Sequence, residues 1–167
     1  MKPLKYSLSV VAAVAIASVV IGSPKKEMPA GAEASSHKVF DAAKLEWGAA
    51  PPGFPAGAQI AVLDGNPGGK GVYTVRLKAP AGYKIMPHTH PTAELVTVIS
   101  GGIHVGMGDK FDESAGDALA LGGFVSLPAK MSHFAWFTEE TVIQVHGEGP
   151  FEINYVNPSD DPRNAKK

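Results

Sequence analysis

Three residues with metal-ligand chemistry fall inside one stretch, residues 82–101, GYKIMPHTHPTAELVTVISG: His88, His90 and Glu94. In an extended strand side chains alternate between faces, so His88 and His90 point the same way, with Cα atoms about 7 Å apart. Glu94 has the same parity and can return to that face after a short turn at Pro91-Thr92. Two imidazoles and a carboxylate converging on one point suit a borderline divalent ion. His133, further along the chain, is a fourth candidate ligand. By itself it reads more readily as a packed core histidine, because Phe134, Ala135, Trp136 and Phe137 follow it.

These residues need a scaffold, and the rest of the chain supplies a β pattern. Ile60–Leu63 ends at the turn Asp64-Gly65-Asn66-Pro67. Val72–Ala79 alternates, with Tyr73, Val75, Leu77 and Ala79 on one side and Thr74, Arg76 and Lys78 on the other, which predicts a half-buried strand. Pro80-Ala81-Gly82 turns the chain into the histidine strand. Leu95–Ile99 is rich in β-branched residues, and Gly101-Gly102 predicts a hairpin into Ile103–Met107. Residues 108–123 read as a loop. Strands are expected again at Phe124–Leu127, Ser132–Phe137, Thr141–His146 and Phe151–Val156, the last closing a barrel. No helix-period segment of convincing length follows the first 23 residues. Many short strands with 19 glycines and 14 prolines predict an all-β jelly roll.

The spacing of the first stretch resembles the first motif of the cupins. It runs Gly82, five residues, His88, one residue, His90, three residues, Glu94, six residues, Gly101. Gly122, Pro128 and His133 fall on places of the second cupin motif, whereas Lys130 stands where that motif has glycine and Phe137 where it has asparagine. The resemblance covers roughly residues 51–157. It implies a double-stranded β-helix, or jelly-roll, cupin barrel, with His88, His90, Glu94 and His133 as metal ligands and a dimer as a common assembly. A second resemblance, to the cupin domain of zinc-dependent anti-sigma factors, implies a metal-dependent binding or sensor module. Those proteins carry an additional helical region with cysteine ligands that this chain does not match.

A site of three histidines and one carboxylate accommodates Fe, Mn, Zn, Ni or Co, and ligand type does not choose among them. With six-coordination two positions remain for water or substrate, as Lewis-acid chemistry or anchoring of dioxygen requires. The expected function is therefore an exported metalloenzyme of dioxygenase or related oxidoreductase type, acting on a small organic molecule. The alternative is a non-catalytic metal-dependent binding or sensor cupin. Glu94 leaving the metal, or His146, would be the acid–base residue. His146 shares a parity with Gln144, and its role depends on which face of that strand meets the pocket. His104 and His146 also read as structural or exposed residues, and His37 as a solvated one. Arg76 lies on the polar side of its strand, so no arginine clamp for a carboxylate substrate is expected.

Length and composition set the outer limits. With 167 residues there is room for one domain. There are no cysteines, which excludes thiolate metal sites, redox motifs and disulfides. The 15 basic and 16 acidic residues give no basic face for nucleic acid. Lys2 and Lys5 precede the uncharged run Leu8–Gly22, a pattern that predicts an export signal over residues 1–23. The run is short for a membrane span, although an uncleaved anchor is the other reading. Cleavage after Gly22, Ala32 or Ala34 is consistent with the small residues there. Export would place the protein in the periplasm or outside the cell. Residues 24–50 are expected to be a flexible spacer and N-terminal arm, 51–157 the cupin domain and 158–167 a polar tail. Val39, Phe40, Leu45 and Trp47 are expected to pack outside the barrel or at a homodimer contact.

Overall fold

In a computed structural model the described residues are 37–165. The expected leader and residues 24–36 of the spacer lie outside them. Eleven strands follow in chain order: β1 (Gly48–Ala49), β2 (Gln59–Asp64), β3 (Gly71–Ala79), β4 (Lys84–Thr89), β5 (Glu94–Ser100), β6 (Gly102–Met107), β7 (Gly116–Ala120), β8 (Phe124–Leu127), β9 (His133–Trp136), β10 (Thr141–Gly149) and β11 (Asn154–Tyr155). They form two antiparallel sheets, ordered β1-β2-β3-β10-β5-β8 and β11-β4-β9-β6-β7. This is the all-β jelly roll that the turn spacing predicted.

The core lies between the sheets. Val75, Leu77 and Ile143 from one sheet meet Ile85, Ile103 and Val105 from the other, and each is no more than 6% exposed. Removing each such side chain from water contributes roughly 1.5–3 kcal/mol. In β3 the alternation is complete: Tyr73, Val75, Leu77 and Ala79 are buried, while Thr74, Arg76 and Lys78 lie on the outer face. There Arg76 Nε donates to Gln144 Oε1 at 3.3 Å, and Lys78 Nζ sits over the Trp47 ring. The N-terminal arm runs along the outside of the barrel. Lys38 pairs with Asp64, and Phe40 and Leu45 border Ala61 and Val62.

Three local expectations need correction. Gly101-Gly102 does not close a hairpin, because β5 and β6 belong to different sheets. Gly101 takes φ 70°, and a Cβ there would lie 2.6 Å from both Glu140 O and Thr141 Oγ1. The Thr141 hydroxyl donates to Gly102 O and accepts from Gly102 N–H, so the chain is turned across to the facing sheet. The stretch 108–123 is not all loop, since it holds β7 paired with β6. The closing strand shrinks to Asn154–Tyr155, and the tail after it forms two 3₁₀ turns, Pro158–Asp160 and Pro162–Asn164. The Arg163 guanidinium ties the second turn to Asp161 and to Ile153 O.

The outer face of the second sheet is also packed. Phe134 and Trp136 point away from the barrel interior yet are 0% and 5% exposed. Phe111 covers Phe134 at 5.1 Å between ring centroids, and His104 stacks on Trp136 at 4.7 Å. Glycine makes the space: a Cβ at Gly106 would meet the Phe134 ring at 2.2 Å, and one at Gly116 would meet Trp136 at 2.2 Å.

Candidate metal centre

The second sheet brings the histidines together. In the β4–β9 pair, Lys84 and Ile85 oppose Trp136 and Ala135, and then His88 opposes His133. Three steps along β4 thus match two along β9, so β4 carries one extra residue. This bulge lies at Met86-Pro87 and re-aims the strand, so that His88 faces inward although Ile85 does so too. His90 follows the end of β4, and Glu94 opens β5 in the opposite sheet. Lys130 N–H donates to His90 O at 2.8 Å, joining the turn before β9 to the histidine segment. Lys130 is the one non-glycine residue with positive φ (64°) among the described residues, and it occupies the place where the second cupin motif has glycine.

His88, His90 and His133 are 3%, 5% and 2% exposed, and their candidate ligand atoms lie within 4.8 Å of one another. Glu94 Oε2 is 3.3 Å from His90 Nε2 and 3.5 Å from His133 Nε2. Each histidine has its Nδ1 against a backbone carbonyl: Met86 O at 2.7 Å for His88, Glu152 O at 2.6 Å for His90, and Met131 O at 3.0 Å for His133. A carbonyl only accepts, so each Nδ1 carries the proton and donates it. When neutral, each ring therefore presents its Nε2 lone pair, the arrangement found where a histidine ligates a metal. The buried Nε2 atoms of His90 and His133 have no hydrogen-bond partner. A buried polar group left unpaired costs about 1–3 kcal/mol, and a cation at the meeting point of these lone pairs would satisfy all of them. The donor set fits a divalent transition metal.

Without an ion, the four groups perturb one another strongly. Burial first, and then the neighbouring His133 and His90, push His88 down to about 3. Burial also opposes a charge on His90, but Glu94 outweighs it and raises His90 above its ordinary value. For Glu94, burial favours the neutral acid, yet His133 and His90 reverse that and hold the carboxylate well below the usual range. The phenol of Tyr73 is pushed up by burial and then by the charge of Glu94.

His88, Glu94 and His133 open onto a cavity of about 70 Å³ inside the barrel. On this measure one water needs roughly 10–15 Å³, so the space suits a few waters or a small organic molecule. Apart from Tyr73 its other walls are apolar, among them Val75, Leu77, Ile85, Ile103 and Val145. Phe54 and Phe151, stacked at 5.8 Å, stand between the cavity and a surface groove that continues over Pro52, Gly53 and Arg163.

The structure thus brings together His88, His90, Glu94 and His133, and it does not bring His146 to them. His146 lies on the exposed face of β10, where its Nδ1 is 2.8 Å from Thr74 Oγ1; the inward residues of that strand are Ile143, Val145 and Gly147. As an acid–base candidate His146 is therefore corrected to a surface residue. His104 is likewise outside, stacked on Trp136. Sequence reasoning missed the bulge, the three carbonyl partners and the place of Phe151 beside the site. Tyr73, which the alternation of β3 and its aromatic ring offer as a cavity-lining or core residue, does line the cavity.

Comparison with known proteins adds the fold family. A family model described as a domain of unknown function (DUF4437) matches residues 22–154. No curated protein matches the chain. Among solved structures, the chain is similar to the polyketide cyclase RemF from Streptomyces resistomycificus, with TM-score 0.63 and 15% identity over 76% of this chain and 90% of that one. It is similar to a protein assigned as an acetylacetone dioxygenase from Methylibium petroleiphilum PM1, with TM-score 0.58 and 19% identity over 76% and 85% of the two chains. A RmlC-like cupin from Shewanella frigidimarina gives TM-score 0.53 and 18% identity over 68% and 91%. These likenesses establish the cupin fold.

Proposed function

The chain belongs to the family described as a domain of unknown function (DUF4437), and we propose that it is a mononuclear metal-dependent oxidoreductase of dioxygenase type acting on a small organic molecule. One observation carries this reading. Three buried histidines, each with Nδ1–H already donated to a backbone carbonyl, turn their free Nε2 atoms toward one point beside the carboxylate of Glu94 and a largely apolar cavity. His88, His90, Glu94 and His133 would hold the ion. When bound, such an ion supplies Lewis acidity and an anchor for dioxygen or a chelating substrate. The protein's own part is to orient and to exclude water. The carbonyls of Met86, Glu152 and Met131 fix the three rings, and the apolar walls offer water few partners in the cavity. Among the described residues Glu94 is the one carboxylate on the cavity wall, and it would hold a proton taken from substrate. A structure of the same fold that is assigned as an acetylacetone dioxygenase supports this choice of chemistry. The charged start and apolar run of residues 1–23 place the reaction, in this reading, outside the cytoplasm.

The test is oxygen consumption by the iron- or manganese-loaded protein with small diketones and phenols. Uptake that requires both metal and substrate, and is lost in His133→Ala, is expected. A stoichiometrically loaded protein that consumes no oxygen with any of them would move the site to metal-dependent binding.

A further inference from the structure

Tyr73, Gly147 and Glu94 form one row across three adjacent strands: Tyr73 of β3 opposes Gly147 of β10, and Gly147 opposes Glu94 of β5. Residues in such a row share a face of the sheet. Two strand spacings separate Tyr73 from Glu94, about 9–10 Å between their backbones. The residue between them has no side chain. The phenol of Tyr73 lies over that gap, since a Cβ at Gly147 would come within 2.8 Å of its hydroxyl oxygen and 3.1 Å of its Cζ. The ring is thereby aimed across β10 toward the Glu94 side of the cavity, which Tyr73 also lines.

The other two tyrosines among the described residues use their hydroxyls structurally. Tyr83 donates to Pro55 O at 2.6 Å and Tyr155 to Gly53 O at 2.9 Å. Tyr73 makes no hydrogen bond to any described residue although it is 2% exposed. Its hydroxyl, 2.8 Å from where a Cβ at Gly147 would stand, is left to pair with an oxygen of a ligand in the cavity. Beyond Tyr73 and the histidine–carboxylate cluster, no hydroxyl, amide, lysine or arginine among the described residues lines the cavity. A charged group at the far end of a ligand would be left there without a partner of opposite charge.

We propose that Tyr73 is the ligand-orienting hydrogen-bond donor of this site, and that the ligand is a small molecule with oxygen at the metal end and an uncharged, apolar body. The proposal rests on the metal-site reading and goes beyond it in naming the second polar anchor and the class of ligand. Gly147 is the space that anchor needs.

The experiment uses cobalt-loaded full-length protein, with acetylacetone as the probe and, as comparator, its analogue carrying a carboxylate on one terminal methyl. Binding is followed through the visible cobalt spectrum, and metal content and thermal midpoint are measured beside it. Wild type is expected to bind acetylacetone at least tenfold more tightly than the carboxylated analogue. Tyr73→Phe is expected to load cobalt and melt as wild type does, yet to bind acetylacetone about tenfold more weakly, the loss of one hydrogen bond. Gly147→Ala keeps the hydroxyl but displaces it, and is expected to weaken the probe in the same direction. Unchanged acetylacetone affinity in cobalt-loaded Tyr73→Phe would overturn the role of Tyr73. Equal affinity for the carboxylated analogue, or no acetylacetone binding by loaded wild type, would overturn the ligand class. Failure of wild type to take up cobalt is a different result and would remove the metal reading beneath both.

Discussion

His88 and His133 oppose each other Cα to Cα across the β4–β9 pair, with ring centroids 4.3 Å apart. Two imidazoles at that distance in a buried place repel when charged. The metal-free protein should therefore be acid-sensitive. His88 is held near pH 3 when folded, against an ordinary value of 6.5. Its contribution to stability is full above about pH 6.5 and is lost as pH falls, because the unfolded chain takes up a proton that the folded chain refuses. The slope from this residue approaches at most about 1.4 kcal/mol per pH unit. His90, whose pKa is raised, is protonated in both states well below 6.5 and does not offset the loss there. Glu94, with its pKa depressed, adds to the loss as pH falls through and below its ordinary value of 4.5. Urea unfolding of the metal-free protein at pH 7 and pH 5 checks this; equal or greater stability at pH 5 would contradict it.

Lys130 holds φ 64° while its N–H bonds His90 O. A side chain in that conformation costs about 1–2 kcal/mol, and glycine there would give back about 0.5–1 kcal/mol through the greater freedom of the unfolded chain. Lys130→Gly should raise stability by about 0.5–1 kcal/mol with metal content unchanged, as read by denaturant midpoint. Destabilisation would mean that the lysine side chain has a role the backbone geometry does not show.

His146 provides the matching negative. It sits on the outer face with Thr74, away from the cavity. His146→Ala should change stability by no more than about 0.5 kcal/mol and leave metal content and oxygen uptake as in wild type. A loss of uptake at full metal occupancy would restore it to the chemistry.

Much of this molecule was legible because its signals are local. The period-two pattern of Val72–Ala79, the turn Asp64-Gly65-Asn66-Pro67 and the spacing of His88, His90 and Glu94 each depend on residues close in sequence. What stayed hidden depends on strand order. The parity shared by Gln144 and His146 was readable, but the face it belonged to was fixed by pairing of β10 between β3 and β5. The same pairing creates the Tyr73–Gly147–Glu94 row. The bulge at Met86-Pro87 shows only against β9, and the burial of Phe134 and Trp136 on the outer face needs the space left by Gly106 and Gly116. Gly101-Gly102 carried a hairpin's composition but serves a crossing between sheets, because Thr141 binds its backbone from β10.

The most direct measurement is the metal content of the purified protein by elemental mass spectrometry, with His88→Ala beside it. The account predicts close to one divalent transition-metal ion per chain in wild type, and its loss in the variant, since His88 Nε2 would be removed from a site whose other nitrogens remain. Absence of bound metal from wild type, after reconstitution with iron, manganese, cobalt, nickel and zinc in turn, would contradict it.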